Sequence, residues 1–461
     1  MMSGLQPLHI VILAAGRGKR MQTLRPKVLH HLAGKTLLQH VLTTATHLQA
    51  DALHVIVGHG AEKIQETVPD FPVHWVYQEQ QLGTGHAVMQ ALPHIPDNAQ
   101  VLILSGDVPL IQLDTLQRMV QLGKDSLTLM TANLSNPFGF GRIIRNPEGH
   151  VIAIIEEKDA SPEQKDIREI YTGICCANAQ QLKNWLPKLS THNAQKEYYL
   201  TEIIGLAVGD SINIHSLEPK YLFEIQGINT LMELHALERT WQEHLGSKLL
   251  AEGVHVADIQ RLDIRGQLNC ASDVYIDINV IIEGEVSIAT NSQIGAHCIL
   301  KNSKIGKNCI IHPHSILDNC IVEDHCEVGP FARLRPGTHL SHDCKIGNFV
   351  ETKNSSFGAF TKTMHLSYIG DAVIGQHVNI GAGTITCNYD GAHKHKTIIK
   401  DHAFIGSDTQ LIAPVVVGEY ATIGAGTSLR EDAPDHSLTL SPNRQKSIRG
   451  WKRKTKPIKE T

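Results

Sequence analysis

Three stretches of the chain carry residue types whose spacing suits chemistry on phosphates. The first, LAAGRGKRM, follows an apolar run and sets Gly16 and Gly18 ahead of Lys19 and Arg20, with Lys27 further on in RPKVLH. Glycines admit backbone N–H groups close to phosphate oxygens, and the cations offset the charge that gathers during phosphoryl transfer. Arg20 stands where a Walker loop needs Ser or Thr, and the spacing also misses G-x-G-x-x-G. Taken alone, the loop is as readily a tight turn. The second stretch, QEQQLGTGHA, puts Gln78, Gly83 and Thr84 on a loop opening a helix, where amide donors read a base or hold a phosphate. The third, VLILSGDVPL, leaves Asp107 just past the carboxyl end of a strand, where open α/β sheets bind ligands. A carboxylate there suits Mg²⁺, a hard ion that bridges to substrate phosphates; a turn aspartate is the equal alternative.

A further constellation lies later in the chain. GPFARLRPGTHL carries Arg333 and Arg335, GNFVETKNS carries Lys353, TKTMHLSYIGD carries His365 and Tyr368, and HVNIGAGTITCNYDGAHKHKT adds Asn379, Asn388, Tyr389 and Lys394. Arginine and lysine together suit a phosphate, and a histidine can take a proton from an attacking amine. In a chain with 28 histidines most are solvated surface residues, so only its context lifts His365 above the rest. His312 and His314, in IHPHSI, lack a third zinc ligand and read as turn residues.

These side chains need elements to position them. From His9 to about Asn229, HIVIL, ALHVIVG, VHWVYQ and AQVLILSGD read as strands, while TLLQHVLTTATHLQ, GTGHAVMQALPHI and LDTLQRMVQL read as helices. That alternation predicts parallel β-α-β units and a sheet covered on both faces. Leu231, Leu234, Leu237, Trp241 and Leu245 form the stripe of an amphipathic helix, either a connector or the last helix of the first domain. Beyond Val254 a six-residue period takes over. Ile276, Ile282, Ile288 and Ile294 form one apolar run, Val328, Leu334, Leu340 and Ile346 another, and Ile399, Ile405, Leu411, Val417, Ile423 and Leu429 a third. Each hexad is one flat face with its apolar residue inward, and a small or Gly residue beside it permits the corner. Three faces make a coil of about 18 residues, so Cys326 and Cys344 should stack. This strict period predicts a parallel β-helix, interrupted by a loop between Thr386 and Thr397.

Bulk properties exclude other classes. A formal net charge of -4 gives no reason to expect a nucleic-acid partner. The N-terminal MMSGLQPLHIVILAAG lacks a basic n-region and reads as strand and loop rather than signal peptide. No stretch approaches the roughly 18 apolar residues that cross a bilayer, so a soluble, cytosolic chain is expected. Nine cysteines without a C-x-x-C are expected to be reduced and not to bind metal.

Together LAAGRGKRM, RPKVL, QLGTGHA and SGDVP resemble the sugar-nucleotide pyrophosphorylases. With the hexapeptide half, nearly the whole chain resembles the bifunctional N-acetylglucosamine-1-phosphate uridylyltransferase / glucosamine-1-phosphate N-acetyltransferase family. The resemblance implies an α/β Rossmann-like nucleotidyltransferase domain over 1–230, a linker helix over 231–253, and a left-handed parallel β-helix over 254–461 with a basic tail. It implies that Arg20 and Lys27 act on the triphosphate of UTP. Gln78 and the Gly83-Thr84 backbone would read uracil, and Leu13, Ala14, Ala15, Gly16, Ser105 and Gly106 would line the nucleotide site. Gly141, Glu156 and Tyr171 would meet the sugar, and Asp107 and Asn229 would share Mg²⁺. In the other half, Arg335, Lys353, Tyr368, Asn379 and Lys394 would bind the acceptor's sugar phosphate, with His365 as general base. Ala382, Asn388, Tyr389, Ser407, Ala425 and Arg444 would line the acetyl-coenzyme A groove.

The implied reactions are acetylation of glucosamine-1-phosphate and in-line attack of a sugar-1-phosphate on the α-phosphorus of UTP, which needs positioning and charge neutralisation rather than a side-chain nucleophile. A homotrimer with active sites at subunit boundaries is implied as well. Three positions depart from the family pattern: Lys19 replaces Thr or Ser, Tyr171 replaces a sugar-contacting Asn, and Pro442 replaces an Arg that Arg444 would substitute from two residues away. The alternative reading is a single-activity pyrophosphorylase whose β-helix is structural or regulatory. His365 and NIGAGTITCNYDG discriminate against it, because a merely structural solenoid has no reason to carry them.

Overall fold

The computed structural model describes residues 6–16, 18–124, 126–441 and 445–452. Two compact units divide the chain, Met1–His244 and Leu245–Thr461.

In the first unit the four runs read as strands form the parallel heart of a sheet: β1 (Leu8–Leu13), β2 (Ala52–Val57), β3 (His74–Tyr77) and β4 (Gln100–Ser105). β1 lies between β4 and β2, and β3 flanks β2. Ile10, Val11 and Ile12 are all fully buried, because apolar cores cover both faces, as they do in parallel sheets. Val11, Ile56 and Val101 face one core and Ile12, Val55 and Leu102 the other. The predicted helices appear as α1 (Leu37–His47), α2 (Thr84–Ala91) and α3 (Leu113–Leu122).

The sheet is not wholly parallel. Five further strands, β5 (Leu127–Asn133), β6 (Gly141–Arg145), β7 (Val151–Ile155), β8 (Glu169–Asn178) and β9 (Ile214–Leu217), complete it. β8 runs antiparallel to both β4 and β5, and β6 and β7 pair antiparallel beside it. The four strands read from the sequence are parallel to one another as expected, but β8 enters between β4 and β5 in the opposite direction, so the sheet as a whole is mixed.

The amphipathic stripe forms α4 (Leu231–Ala251), and the division between the units falls inside it. Leu234, Leu237 and Trp241 pack on Met21, Leu37 and Phe223, whereas Leu245 and Leu249 belong to the second unit's core.

The second unit is a parallel β-helix. Every member of the three predicted apolar runs is buried. Glu327 pairs with Lys345, which puts Cys326 and Cys344 in register as buried free thiols. The glycines of the hexads act differently from the expectation. A Cβ on Gly375 would lie 2.2 Å from the Asp401 carboxylate, and one on Gly406 would lie 2.5 Å from Ala425 N. They are glycine so that successive coils can close on one another. The left-handed corners fall instead on other residues, among them Phe360, His377, His402, Tyr420 and His436, at φ 53–60°. Their rings stack at 4.5–5.1 Å, a favourable contact that offsets part of the strain of φ > 0 in a non-glycine residue. His314 is a corner residue too, at φ 63° between His297 and Phe331. No described helix is long and apolar enough to cross a membrane.

Candidate active sites

In the first unit the carboxyl ends of β1 and β4 and the loop entering α2 surround a cavity of about 780 Å³. Leu13, Ala14, Ala15, Gly16, Lys27, Gln78, Gly83, Thr84, Ser105 and Asp107 all line it. Two glycines make this approach possible. Gly18 sits at φ 59°, where a Cβ would lie 2.8 Å from that of Lys27, and Gly83 sits at φ 115°, where one would lie 2.6 Å from Tyr198 O. Gln78 is buried and fixed from both ends: its N–H donates to Val57 O at 2.8 Å, and its side-chain amide donates to Gly83 O at 3.1 Å. Gly106 N donates to Leu13 O at 2.9 Å, tying the two strand ends together.

At the cavity's polar end Lys27 Nζ pairs with Asp107 and donates to Asn229 Oδ1 at 2.9 Å; Arg20 donates to the same Oδ1 at 2.8 Å. Asp107 and Asn229 offer hard oxygen donors, a carboxylate and an amide carbonyl, that fit Mg²⁺ when substrate phosphates and water complete its shell. Among the described residues no three His, Cys, Asp or Glu side chains are grouped to hold a metal, so the ion would depend on substrate ligands.

Gly141 and Glu156 meet beyond the cavity lining. A Cβ on Gly141 would lie 3.7 Å from the Glu156 carboxyl group, and Thr201 Oγ1 donates to Glu156 at 3.0 Å. Burial raises the pKa of Glu156, the Thr201 hydroxyl opposes that, and Asp159 adds to it. Tyr171 pairs with Gly141 across β6 and β8. Its ring is buried in the sheet core with its hydroxyl on Cys175, and burial pushes the phenol pKa far up. Cys175 is pushed up to about 11 by the same burial, against the bond from Tyr171.

In the second unit three cations converge. Lys394, and behind it Arg335, hold the Lys353 ammonium below the usual lysine range, with Asp371 opposing. Like charges crowded in this way favour an anion between them. Arg335 is braced by Glu351 at 2.8 Å. Tyr368 follows Glu351 in register on the next coil, and its hydroxyl lies over Gly370, where a Cβ would be 2.5 Å away. Asp371 accepts from Asn354 at 2.6 Å and from Asn388 at 2.5 Å, anchoring the loop that carries Tyr389 and Lys394. Tyr389 and Lys394 bridge one another across it. Asn379 is exposed and pairs in register with Lys362 and Phe404.

Ala382, Ser407 and Ala425 form a column, each just before a left-handed corner residue: Gly383, Asp408 and Gly426. Asp408 N donates to Ala382 O at 2.7 Å and Gly426 N to Ser407 O at 2.8 Å. Exposed His365 precedes another such corner residue, Leu366, whose carbonyl accepts from Gly383 N at 2.9 Å. The histidine therefore heads the column that runs toward Ala425. Arg444 and Pro442 lie outside the described residues.

Sequence reasoning overlooked Glu197 in the first cavity, Thr201 on Glu156, and Glu351 and Asp371 in the second unit. Glu351 was within reach of it, since FVETK places that carboxylate two residues from Lys353 and hence on the same strand face.

Comparison with known proteins agrees with this division. Residues 10–145 match the MobA-like NTP transferase domain, residues 264–350 the GMPPB C-terminal domain, and residues 396–431 the bacterial transferase hexapeptide (six repeats). The hexapeptide repeats identify the solenoid as a left-handed β-helix beside a Rossmann-like nucleotidyltransferase fold. "Bifunctional protein GlmU" of Legionella pneumophila (strain Paris) is 57% identical over 97% of this chain and 99% of its own. The proteins of that name from Nitrosospira multiformis and Marinobacter nauticus are 52% and 49% identical, over 99% and 98% of this chain and 99% and 100% of theirs. Identity of this order across both units shows that the chain belongs to the family of bifunctional GlmU proteins.

Proposed function

We propose that the chain makes UDP-N-acetylglucosamine by two transfers: acetyl-coenzyme A acetylates glucosamine-1-phosphate in the second unit, and UTP then uridylylates the product in the first. The observation that carries this reading is identity to bifunctional relatives along almost the entire chain, with both units represented.

In the first unit UTP would lie along Gly16, with its base toward Gln78 and Gly83 and its triphosphate toward Arg20 and Lys27. The sugar, held by Gly141 and Glu156, presents a phosphate oxygen that attacks the α-phosphorus in line; the bond to the β-phosphate breaks and pyrophosphate leaves. Lys27 and Arg20 donate to the oxygens on which charge gathers. Mg²⁺ held by Asp107 and Asn229 would supply further charge neutralisation. In the second unit Arg335, Lys353 and Lys394 hold the sugar phosphate, beside Tyr368 and Asn379. His365 takes the proton from the 2-amino group as its nitrogen attacks the thioester carbonyl, and coenzyme A departs along Ala382, Asn388, Tyr389, Ser407 and Ala425. Exposed Ile316, Ile321, Val373, Ile398 and Phe404 on the solenoid support association of three chains, and the substrates point to work in the cytoplasm.

Each half-reaction tests the reading separately. Acetyl-coenzyme A with glucosamine-1-phosphate is expected to release free thiol, and UTP with N-acetylglucosamine-1-phosphate is expected to release pyrophosphate. Absence of either product removes that half of the reading.

A further inference from the structure

Asn229 is held from two directions. Its side-chain oxygen accepts from Lys27 at 2.9 Å and Arg20 at 2.8 Å. Its backbone N–H donates to Glu233 Oε2 at 2.6 Å. The same carboxylate oxygen accepts from Thr230 N at 3.1 Å, while Glu233 N donates to Thr230 Oγ1 at 3.2 Å. The last two contacts are a capping box, with Thr230 as N-cap and Glu233 as the third residue of α4. A capping box fixes the N-cap residue; this one reaches one residue further back. Next in line Ile228 N donates to Asp107 O at 3.0 Å. A continuous run of bonds therefore leads from the first turn of α4 through Asn229 to the loop of Asp107.

We infer that Glu233 is a positioning residue for the oxygen pair Asp107 and Asn229, setting how well that pair holds a divalent cation. This rests on the metal reading proposed above. An amide side chain has little intrinsic hold on its own direction, and the position of its oxygen depends on where the backbone is pinned. Glu233 pins that backbone with an ionised acceptor, which makes shorter and stronger hydrogen bonds than a neutral one. Its charge also suits the positive end of a helix. Glu233 is exposed, so its removal opens no cavity in the core and costs the fold no more than a helix cap. Residues that orient metal ligands typically govern affinity by 10–100-fold.

The test uses Mn²⁺ as a spectroscopic probe, with electron paramagnetic resonance of the full chain counting free and bound ion in the presence of UTP. Glu233→Ala is expected to weaken Mn²⁺ binding roughly 10-fold and to lower the thermal midpoint only by the small amount a lost cap brings, while leaving the rate of acetyl transfer where it was. Glu233→Gln keeps a side-chain acceptor for both N–H groups and is expected to recover most of the affinity. Asp107→Asn serves as the reference. If Asp107→Asn binds Mn²⁺ as well as the unaltered chain, the metal reading itself is wrong. If Asp107→Asn loses binding but Glu233→Ala retains it, the positioning role alone is overturned. A Glu233→Gln variant as weak as Glu233→Ala would likewise overturn it, because the hydrogen bonds would then not be the cause.

Discussion

Lys27 and His365 depend on their surroundings in different ways. Lys27 lies in a knot of paired groups, with Asp107, Asn229 and Arg20 each within hydrogen-bonding reach of a neighbour, so a change at any of them disturbs the others. Asp107→Asn should lower uridylyl transfer at least about 100-fold, because the one carboxylate that serves both as proposed metal ligand and as partner of Lys27 loses its charge, while thiol release from acetyl-coenzyme A stays unchanged. His365 stands exposed at a coil corner. His365→Ala should lower acetyl transfer roughly 100-fold or more, the usual contribution of a general base, and leave pyrophosphate release as it was; parallel loss of both activities would show that the sites are not separate. Gly, Lys, Arg and Asp gathered at strand ends drew attention to the phosphate-suited segments, but each alone fits a turn equally well, and the individual roles came from the family resemblance. Thr201 left no sign, because it bonds Glu156, far away in sequence; the Thr230-x-x-Glu233 spacing marks a capping box, but nothing in that pattern tells that Glu233 also accepts from Asn229 N. Tyr171 shows another limit: it lies in register with Gly141, but no sequence pattern tells that its ring is buried in the sheet core beside Cys175.

At the scale of elements, three adjacent strands carry a row of histidines on one face. His9 of β1 and His54 of β2 share a hydrogen bond at 3.0 Å, His74 of β3 stacks on His54 at 5.4 Å, and His94 lies 6.5 Å away. Burial, then the neighbouring His9, His74 and His94, lower His54 to about 4; His9 is also lowered by burial, with Asp51 opposing. The unfolded chain, at the ordinary value of about 6.5, therefore takes up these protons first. The stability due to the neutral pair is complete above about pH 6.5 and is lost as pH falls toward 4. The first unit's thermal midpoint should fall over that window, and His54→Leu should flatten the fall; an unaltered slope would contradict the assignment. In the β-helix, Leu411 is fully buried, and Leu411→Ala should cost about 2–5 kcal/mol in denaturant unfolding. The hexad period made these inward positions readable, since one phase persists through each run. The antiparallel β8 was not readable, because strand direction depends on which distant strands it joins rather than on the pattern inside the strand. The hexad glycines were misassigned for a related reason: contact between coils separated by a whole turn leaves no local mark on the sequence.

For the whole molecule, each unit contains the side chains assigned to its own reaction, so the chain should behave as two enzymes sharing one product line. A mixture of His365→Ala and Asp107→Asn chains should then form UDP-N-acetylglucosamine from glucosamine-1-phosphate, acetyl-coenzyme A and UTP, although neither variant alone does so. Failure of the mixture would mean that each variant harms both reactions. The most direct measurement uses the unaltered chain with the same three substrates and Mg²⁺, following pyrophosphate release with and without acetyl-coenzyme A. Pyrophosphate release that requires acetyl-coenzyme A, with one thiol freed for each pyrophosphate, is the predicted result. Pyrophosphate released equally fast without acetyl-coenzyme A, with no thiol freed, would contradict the two-transfer account and leave a single-activity pyrophosphorylase.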